Sequence, residues 1–149
     1  MIDAQTYGRL QDIIRREGRS LLQYAIESFP WTTTGADGRP AALQQLAQDE
    51  SEAAAELARL LVRHRLSPPY LGAYPVSFTS FNYLAIDRLV PLLADYQRRG
   101  IDQLEADLRE LTDEEARAAV RHLLDVKTAN LKKLEALRSP GAEPAATPA

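Results

Sequence analysis

Residues Leu43–His64 read LQQLAQDESEAAAELARLLVRH, and the fold is decided by how this stretch is read. Leu43, Leu46, Glu50, Ala53, Leu57, Leu60 and His64 follow one another at alternating steps of 3 and 4 residues. That period lays a single stripe along an α-helix, and a stripe of this kind is what a helix bundle buries. Pro40 suits the first helical turn, where its missing N–H would have no partner anyway. Ser67-Pro68-Pro69 stops the helix near Arg65, because a proline disfavours helix in the residue before it. A carboxylate, Glu50, stands in the middle of the apolar stripe.

Three more segments carry the helical period. A first helix is predicted over Thr6–Ser28, with Leu10, Ile13, Ile14, Leu21 and Tyr24 on one face, Glu17 among them, and Ser28-Phe29-Pro30 as its end. A polar loop, Thr32–Gly38, joins it to the second helix, and Trp31 is expected to cap the bundle end. After the second helix, Pro68–Asn82 contains three prolines together with Tyr70, Tyr74, Phe78 and Phe81. It reads as an extended strap. A third helix is predicted from near Ser80 to about Leu111, with a kink or break at Pro91 or Gly100. Thr112-Asp-Glu-Glu115 reads as a capping box that opens a fourth helix, running to about Arg138. Its stripe is Val120, Leu123, Lys127, Asn130, Leu134 and Leu137. Residues 1–138 make one domain, and the Pro/Ala-rich tail 139–149 is expected to be disordered.

The fold class is therefore all-α, and the connection lengths set its topology. Short links make helices one and two, and helices three and four, antiparallel hairpins. A helix of ~24 residues is about 36 Å long, and an extended strap of ~15 residues spans roughly 50 Å. The strap can thus run the length of a four-helix bundle and set helix three parallel to helix two, as one long crossover.

Composition excludes more than it assigns. The chain has 149 residues, a net charge of -3, no cysteine and only 2 histidines. The charge balance lacks the basic footprint of a nucleic-acid binder. The absence of cysteine removes disulfides, thiolate metal sites and cysteine nucleophiles. No apolar run reaches the ~20 residues of a membrane span, and the first residues lack the apolar core of a secretory signal. A cytoplasmic protein is expected. No Ser/His/Asp grouping, phosphate loop or dinucleotide fingerprint occurs, and His64 and His122 read as structural. Arg15-Arg16 and Arg98-Arg99 read as solvated surface.

The informative residues are the polar ones inside apolar stripes. A carboxylate in a bundle core is costly unless it is paired, protonated or metal-bound. Glu17 and Glu50 either face each other at mid-bundle or turn to water at a bundle edge. Lys127 either brings an ammonium to the two carboxylates or packs its stem and lets its head reach solvent. In the first case the three form a buried cluster with a residual charge of minus one. A shared proton, Asn130 or a tyrosine hydroxyl would have to absorb it. Tyr24 and Tyr96 read as core residues with hydrogen-bonded hydroxyls. The strap aromatics either seal a groove or form a dimer face or small-molecule pocket.

Taken in register, these positions resemble the ferritin-like superfamily, in particular its rubrerythrin and bacterioferritin branches. In that left-handed four-helix bundle, one helix of each half supplies a Glu, often seven residues before a Tyr, and the next supplies Glu-x-x-His. Glu17 stands seven residues before Tyr24, and Glu50-Ser-Glu-Ala53 occupies the second motif with Ala53 in place of His. In the second half Leu89 stands seven residues before Tyr96 in place of Glu, and LDVKTANLKKLEAL carries Lys127 for Glu and Asn130 for His. The resemblance implies a degenerate di-iron site in which only Glu17 and Glu50 survive as weak metal candidates. Ferroxidase or peroxidase activity is not carried over, and no cofactor is expected. The implied role is a structural or interaction module, dimeric or bound to another protein through a bundle face or the strap. Two alternatives remain at this stage. One is an oxidoreductase or iron-binding protein with an altered metal site. The other is a bundle that binds a small ligand in space left beside Ala53 and Leu89.

Overall fold

The computed structural model of the chain describes residues 2–28 and 38–138. The Trp31 cap, most of the polar loop and the Pro/Ala-rich tail lie outside these residues. Every regular element among the described residues is helical: α1 (Ala4–Gly18), α2 (Leu21–Ser28), α3 (Arg39–Arg63), a short 3-10 helix (Val76–Phe81), α4 (Ile86–Glu110) and α5 (Glu114–Ala136). None of these helices is long and apolar enough to cross a membrane.

Three element boundaries differ from the sequence reading, each for a local reason. The first helix is two helices. Gly18 is a poor helix former, and Ser20 starts a new helix by accepting the N–H of Gln23 on its hydroxyl at 3.3 Å. The Arg19 N–H closes α1 on the Arg15 carbonyl. Gly18 also lies under the strap, where a β-carbon would come within 2.8 Å of Leu71. The third helix begins at Ile86 and not near Ser80, because Val76–Phe81 close into 3-10 turns. It then runs unbroken through Pro91 and Gly100 to Glu110. Pro91 sits early in the helix and forfeits one backbone hydrogen bond, to the Asp87 carbonyl. The cap of the last helix is Asp113 and not Thr112, its carboxylate accepting from the Ala116 N–H at 2.9 Å.

The helices pack as α1 and α2 on α3 and α4, with α5 against both α3 and α4. Ion pairs give the directions. Arg39, the first residue of α3, pairs with Asp87, the second of α4, so both helices start at the same end of the molecule. Arg63 at the end of α3 meets Glu115 at the start of α5, so those two run oppositely. The connection from α3 to α4 follows α1 and α2 along their length. Ser67 accepts from the Tyr7 hydroxyl, the Ala73 carbonyl from Arg19, and Asn82 from the Tyr24 hydroxyl.

The interior is two apolar clusters with a polar layer between them. One is built on Leu10, Ile13, Leu57, Leu60, Leu104 and Leu123. The other is built on Leu21, Tyr24, Leu43, Phe78, Leu89 and Leu134. Full burial of each such side chain contributes about 1.5–3 kcal/mol, so the two clusters dominate stability. On four helical segments the stripe changes from one cluster to the other across a buried polar residue: Glu17, Glu50, Gln97, and Lys127 with Asn130.

Candidate functional site

The polar layer is a site assembled from one or two residues on each of α1, α3, α4 and α5. Glu17 enters from the last turn of α1, Glu50 from the middle of α3, Gln97 from α4, and Lys127 and Asn130 from α5. All five are buried, and Lys127 is only 2% exposed. Of the two arrangements open for Glu17, Glu50 and Lys127, the side chains adopt the inward one.

The Lys127 ammonium lies 2.8 Å from Glu17 Oε1 and 3.2 Å from Glu50 Oε1. Its third neighbour is Gln97 Oε1 at 3.5 Å, so its three N–H bonds face three acceptors. Burial pulls the Lys127 pKa down, but the charges of Glu50 and Glu17 and their hydrogen bonds outweigh this, and the net shift is upward. The ammonium is therefore held protonated. The second oxygen of Glu50 accepts from Gln97 Nε2 at 2.5 Å and from Asn130 Nδ2 at 2.9 Å. The same two amide nitrogens also donate to backbone carbonyls, Gln97 to Lys127 at 3.0 Å and Asn130 to Leu46 at 3.2 Å. Both amides are fixed in orientation by these paired bonds.

The residual charge is met from the surface side. Arg16 Nε stands 3.5 Å from Glu17 Oε2, and its Nη2 is 2.8 Å from Asp107. Asp107 in turn pairs with Arg9 at 3.3 Å. Three carboxylates and three cations thus form one neutral network that runs from solvent into the core. Arg16 is not free surface, because it reaches across to Asp107 of α4. Gly100 makes room for the lysine: a β-carbon there would approach Lys127 Cε at 3.1 Å and Nζ at 3.3 Å.

Tyr24 and Tyr96 are tied to the strap. The Tyr24 hydroxyl donates to Asn82 Oδ1 at 2.6 Å, and its ring lies edge-on to Tyr74 at 5.3 Å. Tyr96 is half-buried, edge-on to Phe78 at 5.9 Å, with the Arg99 guanidinium 4.3 Å from its ring centre. Burial, then the hydrogen bond and charge of Glu27, push the Tyr74 hydroxyl well above the ordinary tyrosine range. Ala53 and Leu89 are both buried, each in a different apolar cluster. His64 ends α3 and meets Glu115 at 2.7 Å, while His122 is exposed.

Gln97, Arg16, Asp107 and Arg9 are the members that the sequence reading missed. Gln97 lies on the buried face of α4, four residues after Leu93, which is the one signal that places it inward. Arg16 gave no signal, since its reach depends on the position of Asp107 on another helix.

The donor set does not fit a di-iron centre. A di-iron centre of the Glu and Glu-x-x-His kind needs four carboxylates and two imidazoles, whereas this layer holds two carboxylates, two amides and an ammonium, and the ammonium is directed at the carboxylate oxygens that would bind metal. Among the described residues no group of three or more His, Asp and Glu side chains is arranged to hold a metal ion. No family model, curated protein or solved structure matches the chain.

Proposed function

We propose that the chain is a ferritin-like four-helix bundle with one long crossover, in which an ionic cluster stands where relatives hold two irons. Its role is that of a non-catalytic structural and interaction module, and its partner is a second copy of the chain. The observation that carries this reading is the Lys127 ammonium between Glu17 and Glu50, at 2.8 and 3.2 Å. A cation built into the protein performs the charge-balancing task of a metal and supplies none of its redox chemistry. The shared starting end of α3 and α4 supports the crossover.

Support for the interaction role comes from the strap. Tyr74, Phe78 and Phe81 pack inward, whereas Tyr70, Val76 and Tyr83 are 90%, 83% and 89% exposed. Tyr83 also holds a φ of 70°, a conformation that is unfavourable for a residue with a β-carbon. An exposed ring on a strained backbone serves no contact within this chain's core. In sedimentation, the wild type is expected to run as a dimer, and a Tyr70→Ser/Tyr83→Ser variant as a monomer. A monomeric wild type removes the self-association part of the proposal.

Metal content tests the remainder. Purified protein given ferrous iron without oxygen, then air, is expected to retain no stoichiometric iron and to show no oxo-bridge absorption. Two irons per chain with that band would replace this reading with the oxidoreductase or iron-storage one.

A further inference from the structure

The polar layer is reached from outside through a cavity of about 360 Å³ between the α1–α2 junction, the strap and α4. This is within the ~300–1,000 Å³ range of small-molecule sites. Neither Ala53 nor Leu89 lines it, so the space anticipated beside those residues is not this one. Leu21, Leu22, Phe78 and Leu93 give it apolar walls, and Lys127, Glu17 and Gln97 lie at its floor.

Its electrostatics are one-sided. The charge of Glu17 is taken up by Lys127 and Arg16. Two further guanidiniums line the cavity, Arg19 and Arg99, and neither has a carboxylate partner among the described residues. Arg19 is positioned by donating to two neutral carbonyls, Arg15 at 3.2 Å and Ala73 at 3.5 Å. Arg99 lies over the Tyr96 ring. In a chain of net charge -3, this is an apolar cleft whose uncompensated charge is positive. Guanidiniums present paired N–H donors in the geometry that a carboxylate accepts.

We propose that this cavity is a binding site for a small amphipathic carboxylate, its apolar body between Phe78, Leu22 and Leu93 and its anion at Arg19 and Arg99. The inference does not depend on the ferritin-like ancestry proposed above, because it uses only the cavity and its lining.

The test uses the full chain and two probes of one shape, 2-naphthoate and the neutral 2-naphthamide, titrated by calorimetry and by amide NMR. Naphthoate is expected to bind at one site and about tenfold or more tighter than naphthamide, since hydrogen bonds to an ionised group are the stronger ones. Arg99→Gln, which removes no hydrogen bond or ion pair among the described residues and only the guanidinium contact with the Tyr96 ring, is expected to weaken naphthoate several-fold and leave naphthamide unchanged. Arg19→Gln/Arg99→Gln, checked for folding by circular dichroism, is expected to abolish the preference. Shifted amides should cluster at residues 19–22, 78 and 93–100. Equal affinity for both probes, a preference that survives loss of both arginines, or no binding up to about 10 mM would each overturn the proposal.

Discussion

Lys127 decides the character of the core because it alone stands between two buried carboxylates. Removing one member of such a group leaves charge uncompensated at a cost of about 3–5 kcal/mol, whereas exchanging the whole group for neutral residues of similar size is often close to neutral. Lys127→Ala is therefore expected to lower unfolding free energy by that amount in urea denaturation. Glu17→Gln/Glu50→Gln/Lys127→Met should recover most of the loss. Failure of the triple variant to recover stability would mean that the ionic group contributes net stability that neutral side chains of similar size do not replace. Gly100 gives a second prediction, with an inverted sign. Alanine at a helical glycine ordinarily stabilises by about 1 kcal/mol, but here the new carbon meets Lys127 at 3.1 Å. Gly100→Ala is expected to destabilise, and the melting temperature reads the sign directly. At this scale the sequence was informative where a polar residue broke a 3/4 stripe, which marked Glu17, Glu50, Lys127 and Asn130. It was silent on Arg16, whose neighbour at the cluster edge is set by tertiary geometry and not by period.

The elements show where local signals compete. Proline positions were legible at the start of α3, because proline acts on its own residue and the one before it. The break between α1 and α2 was not, because Leu10, Ile13, Ile14, Leu21 and Tyr24 hold a helical period across it. The signal was present in Gly18-Arg19-Ser20, a helix breaker followed by a capping hydroxyl, and the apolar period masked it. That break sets the first turn of α2 beside α4 and so forms one wall of the cavity. The sequence Thr112-Asp-Glu-Glu115 has the pattern of a capping box on Thr112, yet Asp113 makes the bond. Either residue type can cap, and only the backbone direction chooses between them. Asp113→Ala is expected to cost about 1 kcal/mol in chemical denaturation, and Thr112→Ala much less. A larger effect at Thr112 would contradict the observed cap.

At the scale of the whole molecule, the all-α class was legible from periodicity, and the long aromatic link was recognisable as something other than an α-helix, although Val76–Phe81 within it are not extended but close into a 3-10 helix. Its division into inward Tyr74, Phe78 and Phe81 and outward Tyr70 and Tyr83 was not, since it depends on which groove the strap follows. The polar layer joins two apolar halves and has a consequence for alkaline stability. The Lys127 pKa is raised in the folded chain, so its contribution is complete below the unfolded lysine value, about 10.4. It is lost as pH rises from there through the folded value. Stability is therefore expected to show no loss from Lys127 between neutral pH and about 10, and to decline above it.

The chain contains three lysines, Lys127, Lys132 and Lys133, and the last two are exposed on the same helix. Lysine-selective ¹⁵N NMR thus carries two internal references. One ammonium signal, absent in Lys127→Ala, is expected to exchange its hydrogens slowly, because that group is buried and held by Glu17 and Glu50. Three signals that exchange equally fast with solvent would contradict the buried cluster.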